Sequence, residues 1–140
     1  MGFVKNQSPA NTNFTFRKVE KLCSEKIIAE LFQPGFFVSV YPFRINGLFT
    51  SLPSDKTNAQ VMFVVGKKKF KKAHDRNRAK RVMRELYRLE KHKLYHALAS
   101  QEKQLALALI YTGTDLPNFH ESKVKFDLLL IKLIHAISNQ

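Results

Sequence analysis

The sequence predicts an α+β fold in which helices pack on a small sheet. Segments with apolar residues three and four apart alternate with short runs of β-branched and aromatic residues. Their order reads helix, strands, helix, strand, helix, the pattern of a layered α+β domain. At 140 residues and 44% apolar content, the chain is long enough for one core and too short for two.

Residues 1–13, rich in Asn, Ser, Thr and Gln and without periodicity, read as a mobile tail ahead of a single domain over residues 14–138. Ser24 is placed as the N-cap of a first helix running to Phe32, with Ile27, Ile28, Leu31 and Phe32 as its buried stripe. Gln33-Pro34-Gly35 stops that helix, because proline cannot continue it and glycine relaxes the exit. "FFVSVYPFRI" then reads as one strand, with Pro42 marking an edge or a bulge. Residues 46–59 read as a loop by composition, with Leu48 and Phe49 offering a short strand piece. "QVMFVVG" is apolar on both faces and is expected at the centre of the sheet. A long helix follows from about Ala73 to near Leu98. "LALALIYTG" is a second buried strand, closed by Gly113 and the "DLPN" turn. The last helix is expected from near Ser122 to Ile137, with Leu128, Ile131, Ile134 and Ile137 among its apolar positions.

Charge is where the chain departs from an ordinary domain. Its net charge is +13, and Lys67–Lys93 alone holds thirteen Lys and Arg against Asp75, Glu85 and Glu90. Such a local excess destabilises the fold by self-repulsion and points to a polyanionic partner at one surface patch. On a helical wheel, Ala79, Val82, Met83, Leu86 and Leu89 share one arc. Arg76, Asn77, Lys80, Arg81, Arg84, Arg88 and Lys91 share the opposite arc. Arg78 falls near the apolar boundary, either reaching around the helix or held by a structural hydrogen bond. Guanidinium forks match phosphate oxygens, lysines add point charge, and Asn77 adds a directional bond. Spacing alone does not separate RNA from DNA.

Other functions are excluded by what is missing. Cys23 is the only cysteine, so there is no internal disulfide and no thiolate cluster; a reducing cytoplasm and a buried thiol are the expectation. The longest apolar runs fall far short of the roughly 20 residues of a membrane span, and the N-terminus lacks a signal-peptide pattern. The eleven acidic residues are scattered, without a paired-carboxylate cluster. His92 and His96 have helical zinc spacing, but no Glu follows His92. His74 either contacts nucleic acid or marks the helix start. No catalytic residue and no metal site of the protein's own are expected.

"KKKFKKAHDRNRAKRVMREL" resembles the signature of the bacterial ribonuclease P protein component: a Lys-Lys pair ending a strand, a basic connection, then an Arg-Asn-Arg core continuing as Lys-Arg and Arg-Glu. In this chain these are Lys67-Lys68, Arg76-Asn77-Arg78, Lys80-Arg81 and Arg84-Glu85. The likeness covers nearly everything from Phe14 to Ile137. Two departures are Phe70, where that family often has glycine, which leaves the path of the basic loop open, and residues 46–59, a stretch longer than the resemblance leads one to expect, which leaves the early strand registers open.

The resemblance implies a two-layer α/β sandwich of αβββαβα order, like that of ribosomal protein S5, with a left-handed βαβ crossover against the usual rule. It implies a subunit of a ribonucleoprotein that removes the 5′ leader from precursor transfer RNA, with Mg²⁺ held mainly by the RNA subunit, which carries the chemistry. Lys67, Lys68, Lys71, Lys72, Arg76, Asn77, Arg78, Lys80, Arg81, Arg84 and Arg88 would bind that RNA. Ile28 and Phe32, with Tyr41 or Phe43, would line a cleft for the leader, although strand aromatics beside a helix also read as core. The implied partners are the ribonuclease P RNA and the leader, with neither a membrane nor an obligate protein partner. The competing readings are a ribosome-associated RNA-binding protein or RNA chaperone, and a nuclease acting alone.

Overall fold

A computed structural model of the chain describes residues 15–33 and 35–139. The tail expected over residues 1–13 lies outside them. The elements run α1 (Glu25–Leu31), β1 (Phe37–Val40), β2 (Phe43–Phe49), β3 (Ala59–Val65), α2 (Ala73–Ser100), β4 (Leu105–Tyr111) and α3 (Phe119–Ser138), with a 3₁₀ turn at Lys18–Glu20 before α1. The architecture is the expected α+β sandwich. Four strands in the order β1-β2-β4-β3 form a mixed sheet, antiparallel except for β3 beside β4.

Strand alternation divides the core. Leu105, Leu107, Leu109 and Tyr111 of β4 face α2 and α3, together with Phe43 and Ile45 of β2. Ala106 and Ala108 face the other way and meet Ile27 and Leu31 of α1. The small alanines let the short helix lie close to that side. Ser24 caps α1 as expected, its Oγ accepting from the Ile27 N–H at 3.3 Å.

Several sequence expectations are corrected. "FFVSVYPFRI" is two strands, not one: the chain turns at Tyr41-Pro42, whose peptide bond is cis, and β1 folds back on β2. Residues 46–49 are not loop but the end of β2, paired with β4 from Asn46–Ala108 to Phe49–Leu105. Gly47 is tolerated within the strand because the Phe36 ring crosses it; a Cβ there would sit 2.5 Å from Phe36 Cε2.

β3 is an edge strand, and β4 is central. β3 reads as central because its outer edge is covered too: the Leu22 N–H donates to the Val61 carbonyl (3.0 Å) and Gln60 Nε2 to that of Val19 (2.9 Å). Burial on both faces therefore does not reveal the number of strand partners. α3 starts earlier than Ser122, capped by Asn118 Oδ1 accepting from the Glu121 N–H. Its core side is Phe126, Leu129, Leu130, Leu133 and Ile137, whereas Leu128 and Ile131 are exposed.

Candidate nucleic-acid interface

The connection from β3 to α2 is basic in sequence and tightly anchored. Phe70 turns inward, 7% exposed, with its ring centroid 6.0 Å from that of Tyr111. Its N–H donates to the Gly66 carbonyl. Arg76 Nη1 reaches back from the first turn of α2 to the carbonyls of Phe70 (2.7 Å) and Lys71 (2.9 Å). Lys69 Nζ donates to the Thr112 carbonyl at the end of β4. Phe70 thus fixes the path of the basic loop: one aromatic plug and one arginine clamp hold it. Lys67, Lys68, Lys71 and Lys72 project into solvent.

α2 spans twenty-eight residues and buries Ala79, Met83, Leu86, Tyr87, Leu94 and Leu98 against the sheet and α3. Arg78, Arg81 and Arg84 are exposed and Lys80 is half-buried; none forms an ion pair among the described residues. Arg78 therefore belongs to the open face rather than to a structural bond, and it lines a concavity with His74, Asn77 and Arg81. Arg84 lies 5.6 Å from the Phe63 ring centroid.

Three expected cations are committed elsewhere. Arg76 is the loop clamp. Arg88 pairs with Glu85, the guanidinium holding that carboxyl below its ordinary range. Lys91, placed on the solvent arc by the wheel, is 4% exposed: its Nζ donates to Glu20 Oε1 and to the Thr15 carbonyl, each at 2.6 Å. Burial alone would raise the Glu20 carboxyl. Hydrogen bonds from Lys91, from Tyr95 Oη (2.5 Å) and from the Arg17 N–H (2.6 Å) outweigh it and hold Glu20 below its ordinary value. This buried knot straps the N-terminal segment across the middle of α2, so the cationic face ends near Arg88.

The opposite side of the sheet carries a second concavity, between the end of α1 and β1–β2. It is lined by Phe32, Gln33, Gly35, Phe36, Phe37, Arg44 and Asn46. Phe32 is 48% and Phe37 52% exposed, and the Arg44 guanidinium carbon stands 4.0 Å over the Phe37 ring. Arg44 Nε donates to Asn46 Oδ1 at 2.9 Å. The structure thus brings Phe32 to this cleft and leaves Ile28, on α1, half-buried against the core on the alanine side of the sheet.

Phe43 is removed from the cleft: it is fully buried on the other face, against Phe126 and Tyr111. Tyr41 is removed as well, to the turn at the far end of β1. Phe37, Arg44 and Asn46 were missed. Strand parity would have found them once Phe43 was known to point inward, but the unrecognised turn at Pro42 hid the register. Cys23 is exposed, not buried. Among the described residues, no three His, Cys, Asp or Glu side chains converge, and no helix is long and apolar enough to cross a membrane.

A helix held on a sheet by its apolar side, with cations on its outer side that form no ion pair among the described residues and a basic loop at its start, is the architecture expected of a polyanion-binding domain. Comparison with known proteins narrows the class. The Ribonuclease P family model matches residues 16–112. The chain is 33% identical over 128 residues to the ribonuclease P protein component of Porphyromonas gingivalis, covering 90% of each chain. It is 52% identical over 56 residues to that of Chlorobaculum tepidum, covering 37% of this chain and 36% of the relative. With that of Chlorobium phaeobacteroides it shares 31% identity over 137 residues, 88% of each. The chain belongs to the ribonuclease P protein component family.

Proposed function

We propose that this chain serves ribonuclease P by holding the catalytic RNA on one side of its sheet and the 5′ leader of precursor transfer RNA on the other. The observation that carries this reading is the placement of a cationic surface and an exposed aromatic concavity on opposite sides of one sheet. Uncommitted cations of the basic loop and α2 line one surface; exposed aromatics beside Arg44 line the other.

Loop and helix cations neutralise crowded phosphates, and their fixed spacing sets the register of the RNA. In the cleft, Phe32 and Phe37 offer flat apolar faces for unpaired bases, and Arg44 offers charge for the backbone between them. A leader lying there contributes binding energy only to the precursor, so the protein favours substrate over product and aligns the scissile bond. The bond breaking is assigned to the RNA. Magnesium ions supply the activation of water in such hydrolysis. The ions are assigned mainly to RNA phosphates, and no step is given to a protein-bound metal. Action in the cytoplasm follows from the same reading.

Reconstitution tests it. Adding the chain to a cognate ribonuclease P RNA should lower the magnesium needed for leader removal and tighten binding of leader-bearing precursor over leaderless transfer RNA. Equal effects on both substrates at matched ionic strength would point to a general RNA chaperone instead. Leader removal by the RNA-free chain would move the chemistry onto the protein.

A further inference from the structure

A third concavity, of about 440 Å³, lies between the β1–β2 turn and the start of α3, and neither of the two surfaces above uses it. Tyr41 and Leu116 form its apolar walls, 65% and 37% exposed. The exposed Tyr41 ring offers a flat face at the rim, and the volume lies in the range of small-ligand sites.

The site is preformed. The Tyr111 hydroxyl donates to the Asp115 carbonyl at 2.6 Å, pinning the β4–α3 connection. Gly113 permits this, because a Cβ there would sit 2.6 Å from Tyr111 Oη. The site is also fastened to the basic loop. The Thr112 N–H donates to the Pro42 carbonyl at 2.7 Å, while the Thr112 carbonyl accepts from Lys69 Nζ. Tyr41 therefore stands at a fixed offset from the loop that grips RNA.

The polar groups lining the site bear on which ligand chemistry it would accept. Asp115 and Glu121 are acceptors that repel a phosphate but accept N–H groups from a base edge; Lys125 can meet the adjoining phosphate. Guanine fits best, since its N1–H and N2 amino group present two donors side by side to one carboxylate. Uracil fits worst, with one N–H between two carbonyl oxygens.

We propose that this pocket captures a single unstacked, amino-bearing nucleobase, guanine above all, with Tyr41 as its stacking platform, from RNA already held by the basic loop. The proposal rests on the RNA-binding reading above, and the base comes either from the catalytic RNA or from the substrate.

Tyr41→Ala and Tyr41→Phe are compared with wild type in two affinities: chain for ribonuclease P RNA, and reconstituted holoenzyme for precursor transfer RNA. Loss of an aromatic platform should weaken one of them by about fivefold or more, with Tyr41→Phe close to wild type. Weakening in the first affinity assigns the base to the catalytic RNA, and in the second to the substrate. Tyr41 is exposed, so the variants should keep the wild-type circular dichroism spectrum and thermal midpoint. Both affinities within twofold of wild type in Tyr41→Ala would overturn the proposal, whereas failure of the wild-type chain to bind either RNA would overturn the reading beneath it. In NMR titrations of the full chain, GMP should shift the Thr114 and Leu116 amides more than UMP does; equal shifts would refute the base assignment.

Discussion

The division of cations into free and committed sets gives a quantitative prediction. Of the thirteen Lys and Arg from Lys67 to Lys93, eight have side chains without a hydrogen-bonded or ion-paired partner among the described residues: Lys67, Lys68, Lys71, Lys72, Arg78, Lys80, Arg81 and Arg84. If all eight meet phosphates, log K should fall with log salt at a slope of about −7, and a rise from 50 to 200 mM salt should cost roughly 10⁴-fold in affinity. Arg81→Ala and Arg84→Ala should each flatten that slope by about 1, additively, with little change in stability. Lys91→Ala should do the reverse. It leaves the buried Glu20 carboxylate without its cation, at a cost of about 3–5 kcal/mol in folding, while the slope stays at the wild-type value. Filter binding to folded ribonuclease P RNA across a potassium chloride series, paired with urea unfolding of each variant, reads both quantities. A flattened slope in Lys91→Ala, or an unchanged slope in the Arg81/Arg84 double variant, would refute the partition.

Other outcomes follow from single contacts. Phe70→Gly should cost about 3–5 kcal/mol by emptying the plug beside Tyr111, and weaken RNA binding because the loop loses its anchor; urea unfolding and RNA titration measure the two. Glu20 has a carboxyl held below its ordinary 4.5, so its contribution is fully present above that pH and lost as pH falls through the lower folded value. Glu20→Gln should therefore lower the thermal midpoint at neutral pH and flatten the acid limb of the stability profile. Phe32→Ala with Phe37→Ala should leave stability within about 0.5 kcal/mol of wild type per residue and weaken leader-bearing precursor, but not leaderless transfer RNA, in equilibrium binding.

Local signals were read well where local physics decides. Ser24 caps α1, Ala73 opens α2, and "LALALIY" forms a strand as its composition requires. The Arg-Asn-Arg core and its setting were legible because they lie within a few turns of one helix. The cleft was legible only on its helical side. Phe32 follows from helix periodicity, whereas Phe37, Arg44 and Asn46 depend on where the chain reverses, and a single proline does not announce whether it makes a bulge or a turn.

By itself, the sequence determined the order of elements, the excess of positive charge and the axis along which it runs, since each depends on residues close together in the chain. Tertiary structure decided which charges are available. Periodicity fixes the phase of a face on its own helix but not what covers that face. Lys91 is removed from the cationic surface by a carboxylate 71 positions away, and Tyr41 is carried from the expected cleft to a different pocket by a reversal of the strand. Burial is a property of two surfaces meeting, and the second surface is not written next to the first.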